Sequence, residues 1–273
     1  MKRLVKILLN CITILFVCGS FLSCNQKEAA VKQEIEQLND QCPIVLGSSG
    51  AITKVEYEEG TVIFTYLVNE KETLTDIGKF KLHKSLLKEL SMTSLASSNL
   101  ASMEAISNED VNLRYKILGN QSKAIAVIDV TSQELKDFMT NIDGKPHALD
   151  HKLLDLQVQL ANINLPQKIE DGMLITQITQ EGNNVVYKLS VDEEVLGNDV
   201  NILSKVRDEI KPEMTRSLQA EDDLVLTRFE QLLKKLQYGL IYRFCGNHSG
   251  HTVDITFSPE EISEMASNSE YQL

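Results

Sequence analysis

The chain is predicted to be an α+β protein built as a tandem duplication, each copy a four-stranded antiparallel sheet of two hairpins packed with helices. Three observations carry that expectation. Two ungapped blocks recur: residues 43–70 match 166–193 at an offset of 123, and residues 113–135 match 240–262 at an offset of 127. Within both blocks apolar residues alternate with period two, as in strands with one core face. Between and around the blocks they recur at helical spacing.

Taken in order, residues 29–38 and 153–161 form an amphipathic helix ahead of each copy's first strand. In copy one Val62, Phe64, Tyr66 and Val68 alternate with Ile63, Thr65 and Leu67. The preceding stretch 51–57 joins them across a Glu-Gly turn, which makes a hairpin. Copy two repeats the pattern with 174–180, a Gly-Asn turn, and Val185, Tyr187, Leu189 and Val191. Identities include Pro43/Pro166, Ile52/Ile175, Thr53/Thr176, Glu58/Glu181, Val62/Val185 and Glu70/Glu193.

Two helices are expected next. In copy one they cover 81–90 and 100–106. In copy two the first carries Ile202, Val206 and Ile210, with a break or kink at Pro212, and the second carries Leu224, Leu226, Phe229, Leu232, Leu233 and Leu236. A second hairpin follows. Leu113, Tyr115 and Ile117 lead through Gly119-Asn120 into Ala126, Ile128 and Val130, and Leu240, Tyr242 and Phe244 lead through Gly246-Asn247 into Val253, Ile255 and Phe257. Each copy closes on a helix opened by Thr131 or Ser258 with Glu134 or Glu261 three residues on, a capping-box spacing. The copies are therefore placed at 24–140 and 152–273. A turn-rich linker, 141–151, containing Asp143-Gly144-Lys145-Pro146, joins them.

The first 23 residues have another character. Met1, Lys2, Arg3 and Lys6 make a basic end, an apolar run extends from Ile7 to Leu22, and the segment closes on Phe21-Leu22-Ser23-Cys24. This segment resembles the signal peptide of bacterial lipoproteins, over about the first 25 residues only. Phe21 stands where that family most often has Leu. The resemblance implies cleavage before Cys24, acylation of Cys24 and a membrane attachment made by lipid alone. An apolar run shorter than the ~20 residues of a spanning helix agrees with a cleaved signal. In the same family an aspartate after the cysteine signals inner-membrane retention. Asn25 stands there, so the resemblance implies a lipid-anchored envelope protein at the outer rather than the inner membrane.

Removing residues 1–23 takes three of the 27 basic residues and none of the 39 acidic ones, which leaves a formal charge of −15. A body this acidic repels phosphate backbones, so nucleic acid is not an expected partner. Of five cysteines, Cys11 and Cys18 fall in the signal and Cys24 takes lipid. Cys42 and Cys245 remain, either as one disulfide across the two copies or as separate thiols.

Positions where the copies differ are where function is sought. Cys245, His248, His251 and Asp254 stand where copy one has Leu118, Gln121, Ala124 and Val127. They are zinc-ligand types, but strand alternation turns Cys245 away from the face of His251. Polar turn decoration is therefore the default, and no metal or cofactor is expected. If Val62, Phe64, Ile128 and Val130 face the helices, the opposite face of copy one carries Ile63, Leu67, Leu118, Ile125 and Val127. That face reads Val186, Ser190, Cys245, Thr252 and Asp254 in copy two. An apolar second face on one copy is a contact surface, covered from within or offered to a peptide, lipid or envelope protein.

The catalytic inventory is bare. The chain has no G-x-S-x-G, no H-E-x-x-H and no phosphate-cradling glycine loop. Acidic runs such as Asp192-Glu193-Glu194 and Glu221-Asp222-Asp223 read as solvated turns or helix starts. The sequence thus points to a non-enzymatic envelope module that binds a protein or peptide. A binder of a small molecule or glycan between the copies is the alternative, and a hydrolase follows after it.

Overall fold

The computed structural model describes residues 32, 35–36, 39–45, 50–68, 83–98, 100–119, 122–142, 146–163, 165–195, 207, 210–216 and 224–267. The signal segment with Cys24 lies outside the described residues, as do Glu70, Asn120, Ile202, Val206 and residues 221–223. No helix among the described residues is long and apolar enough to cross a membrane. The chain divides into two compact units, whose described parts are residues 32–157 and 158–267.

The first unit holds a five-stranded sheet in chain order: β1 (Ile44–Val45), β2 (Gly50–Glu58), β3 (Thr61–Val68), β4 (Asn112–Leu118) and β5 (Ala124–Val130). Helices α1 (Lys84–Ser98) and α2 (Leu100–Asn108) connect β3 to β4. Helix α3 (Ser132–Asn141) follows β5, and α4 (Pro146–Asn162) comes next, its last five residues counted with the second unit. The second unit repeats the sheet with β6 (Gln167–Glu170), β7 (Met173–Gln180), β8 (Asn184–Val191), β9 (Gly239–Gly246) and β10 (Thr252–Phe257). Its helices are a stretch at 210–216, α5 (Leu224–Leu236) and α6 (Pro259–Ser267).

The α+β class, both hairpins of each copy and their helical connections agree with the sequence. Each sheet, however, has five strands and is mixed. β3 runs parallel to β4, and β8 parallel to β9. A helical crossover between two hairpins returns the chain in its original direction, so the pair at the seam is parallel. The fifth strand, β1 or β6, is too short to show a period.

Helix α4 begins at Pro146, inside the stretch expected to be a linker, and α3 extends to Asn141. Proline lacks only a donor that the first helical turn leaves unused, so it opens a helix rather than preventing one. Nor does Pro212 end its segment, which stays helical to residue 216.

The two sheets correspond row by row. On the inner face, Ile52–Tyr66–Ile117–Ala126 matches Ile175–Leu189–Phe244–Val253. Val55–Phe64–Tyr115–Ile128 matches Ile178–Tyr187–Tyr242–Ile255, and Tyr57–Val62–Leu113–Val130 matches Gln180–Val185–Leu240–Phe257. These rows are the core, joined by Leu87, Leu90, Met103, Ile106 and Leu135 in one unit and Phe229, Leu233, Leu236, Ile262 and Met265 in the other. Their central rings stack alike: Phe64 on Tyr115 at 5.4 Å and Tyr187 on Tyr242 at 5.3 Å, both pairs at 17°. Thr53 and Thr176 occupy the same bulge, each hydroxyl donating across the ladder, to Thr65 O at 3.3 Å and Lys188 O at 3.1 Å. Both capping boxes form. Each glutamate also meets a lysine at 2.6 Å, Glu134 with Lys88 and Glu261 with Lys211. Burial works to raise both carboxyls, but these bonds outweigh it and hold them below the ordinary carboxylate range.

A helix-end asparagine clamps each bulged strand. Asn39 Oδ1 accepts from Val55 N at 3.0 Å, and Asn162 Oδ1 from Ile178 N at 2.9 Å. The Asn162 amide also donates to Ile178 O and Val158 O, both at 2.7 Å. Asn162→Ala strands a backbone N–H beside the buried Ile178 side chain. It is expected to lower stability by about 1–3 kcal/mol in chemical denaturation. Asn162→Asp keeps the acceptor but turns a carboxylate oxygen on the Ile178 and Val158 carbonyls, so it should not recover the loss.

Candidate functional site

The outer faces separate the two units. On the second sheet the rows read Leu174–Ser190–Cys245–Thr252, then Gln177–Lys188–Arg243–Asp254, then Thr179–Val186–Ile241–Thr256. Arg243 is neutralised within this face. Its Nε and Nη2 donate to Asp254 Oδ1 and Oδ2 at 3.0 and 2.9 Å, and Nη1 donates to Glu181 Oε2 at 2.8 Å. Lys188 adds a contact to Glu181 at 3.4 Å. The hydrogen bond from Arg243 holds the Glu181 carboxyl below its ordinary range. The bonds it donates to Asp254 and Glu181 hold the guanidinium higher still.

On the first sheet the same rows read Ala51–Leu67–Leu118–Ala124, then Lys54–Thr65–Lys116–Val127, then Glu56–Ile63–Arg114–Asp129. Of the five residues expected on this face, Leu67, Leu118 and Val127 lie on it and are half-buried. Ile63 is 2% exposed. Its register neighbours are Glu56 and Arg114, and Arg114 reaches Asp129 at 2.5 Å across β4 and β5. The equivalent Val186 is fully buried too, so burial at this position belongs to the fold. Ile125 is the extra residue of a bulge: Ile117 pairs with Ala126 and Leu118 with Ala124. Strict alternation is suspended there, and Ile125 is buried.

The turn after β9 holds the cysteine and histidines singled out in the sequence. Glu193, itself buried, latches this turn. Its Oε2 accepts from His248 N at 2.8 Å and Ser249 N at 2.7 Å, and Asn247 Oδ1 accepts from Glu193 N at 3.2 Å. Bonds from the Ser249 hydroxyl and these backbone groups hold the Glu193 carboxyl below its ordinary range. A Cβ at Gly246 would stand 2.6 Å from the Glu193 carboxyl, so glycine is needed for the latch to seat. His248 Nδ1 lies 2.7 Å from Asn247 Oδ1. Among the described residues no three His, Cys, Asp or Glu side chains come together to hold a metal ion. Cys42 and Cys245 are half-buried thiols, one in each unit, and burial pushes both up.

One buried group escaped the sequence reading. Glu230 of α5 is 6% exposed, its Oε1 has no hydrogen-bond partner, and burial pushes its carboxyl up to about 8. Tyr242 lies within its electrostatic reach. Burial first, then Tyr187 and Glu230, raises that phenol well above its ordinary value. At the offset of strand β9, Glu230 corresponds to Met103, so a carboxyl in the second core stands where the first has a thioether. The signal was present in the sequence: Glu230 stands four residues after Leu226 and three before Leu233, on the apolar stripe.

No protein-family model and no curated protein matches the chain. Three solved structures are distantly similar to it. A secreted protein of Pseudomonas aeruginosa is 18% identical, with 41% of this chain and 92% of that chain covered and a TM-score of 0.34. The type 2 secretion system pilotin of Vibrio vulnificus is 16% identical, with 40% and 90% covered and a TM-score of 0.31. The type II secretion system pilotin of Vibrio cholerae is 15% identical, with 39% and 90% covered and a TM-score of 0.30.

Proposed function

We propose that this is a lipid-anchored protein of the bacterial cell envelope, held through acylated Cys24 at the outer membrane, whose first repeat offers the outer face of its sheet to an envelope protein or peptide. The observation that carries the reading is a difference between two copies of one fold. Leu67, Leu118 and Val127 are half-buried on the first sheet, whereas Ser190, Cys245 and Asp254 fill the same places on the second. The shared scaffold does not need apolar residues there, because the second copy folds without them. Partial exposure of apolar side chains is then explained by a contact. The second repeat, its outer charges satisfied internally, serves as scaffold.

The anchor is tested by metabolic labelling with an alkyne-bearing fatty acid. Label is expected on the wild-type chain and absent from Cys24→Ala, which should also move from the membrane to the soluble fraction. Label retained by Cys24→Ala overturns the anchor. A photo-cross-linking side chain in place of Val127 tests the face. It should yield a discrete adduct in the envelope that the same group at Thr256, on the second sheet, does not.

A further inference from the structure

The outer face of the first sheet carries charge as well as apolar surface. Lys116 on β4 holds the position that Arg243 holds on β9, and Val127 holds the position of Asp254. The cation is kept in both copies, and its partner across the strands has become apolar. Among the described residues Lys116 has no ion-pair partner, and neither has the exposed Lys123 in the turn before β5. Glu58, the counterpart of Glu181, is exposed and bridges neither lysine. Two unneutralised ammonium groups thus belong to this hairpin, Lys116 in the row of Val127 and Lys123 in the turn that follows Leu118, on a body of charge −15.

We infer that this face docks an acidic amphipathic segment of a protein partner, whose apolar side chains cover Leu67, Leu118 and Val127 and whose carboxylates meet Lys116 and Lys123. This rests on the partner-face reading above and adds the chemistry of the partner. Complementary charge selects partners and fixes register. The partner's carboxylates supply from outside what Asp254 and Glu181 supply from within the second sheet. An anionic membrane has the same headgroup sign but suits the face less well. A charged plane brings much of the acidic body within the ~8 Å screening length, whereas a single peptide segment meets only the local charge.

The test uses the full acylated chain in nonionic detergent and a fluorescein-labelled twelve-residue peptide alternating leucine and glutamate, with a leucine–lysine peptide as control. Fluorescence anisotropy should show binding of the acidic peptide only. Each of Lys116→Gln and Lys123→Gln should weaken it about threefold to fivefold, as expected for rim ion pairs. Val127→Asp gives Lys116 the internal counter-ion that Arg243 has, and should weaken binding further. Far-UV circular dichroism melts of the two lysine variants, matching wild type, exclude misfolding as the cause. Equal binding of both peptides, or indifference to Lys116→Gln and Lys123→Gln, overturns the inference. So does loss of binding to vesicles containing 30% phosphatidylglycerol in Lys116→Gln while peptide binding stands. A cross-link from position 127 with no acidic-peptide binding leaves the partner face intact and removes the acidic partner. Loss of both removes both.

Discussion

Replacing Glu230 with methionine, the residue its counterpart Met103 already is, should raise stability by roughly 3 kcal/mol at pH 7 and roughly 5 kcal/mol above pH 9. The ordinary carboxyl value is 4.5, and burial in the second core pushes Glu230 up to about 8. Between those values the folded protein keeps a proton that the unfolded chain releases. Glu230 therefore contributes least instability below pH 4.5. Its cost grows as pH rises to about 8 and is constant beyond, when the folded state must hold a carboxylate with no partner on Oε1. Urea denaturation of wild type and Glu230→Met at pH 5, 7 and 9 should give curves that converge at low pH and separate as pH rises. Glu230→Gln, nearly isosteric, should lose the same pH dependence. Parallel curves would show that the carboxyl is solvated or paired in solution. Subtracting variant from wild type at each pH removes the titration of every other group.

The second large effect belongs to Phe257. Its ring is fully buried, meets Tyr242 edge-on at 6.1 Å, and lies under Lys211 Nζ at 5.2 Å. Lys211 in turn pairs with Glu261 of the α6 capping box. Phe257→Ala removes a large side chain from a position that closes β10 onto the first turn of α6. The expected loss is about 3–5 kcal/mol, part lost transfer energy and part cavity. Phe257→Leu, which fills most of the volume, should lose under about 2 kcal/mol. Because the chain contains no Trp, far-UV circular dichroism is the natural probe. The midpoint should fall while the denaturant slope is unchanged. A loss below about 1 kcal/mol would mean that this core does not hold the ring in place.

Both cases show where one-dimensional reading succeeds and where it stops. Phe257 was legible as a core residue because Val253, Ile255 and Phe257 alternate with polar neighbours, and alternation is local. Glu230 is passed over because a carboxylate in a helix ordinarily reads as solvated, although its spacing from Leu226 and Leu233 sets it on the apolar stripe. The outer face of the first sheet lay between these cases. Leu67, Leu118 and Val127 were placed by counting along strands. The same counting put Ile125 beside them, because a bulge cannot be seen in the spacing of apolar residues.

From its amino acids alone the chain reveals a doubled α+β unit, the hairpins and capping boxes of each copy, and the residues that recur at fixed offset. These follow from period, turn chemistry and self-identity, all properties of neighbours in sequence. Only the tertiary structure decided that the hairpins meet through a parallel pair, that Val127 rather than a carboxylate faces Lys116, that Glu193 latches a turn 55 residues away, and that Glu230 is buried beside Tyr242. Each depends on strand register and on which distant segments fold against one another, and no local propensity encodes that pairing.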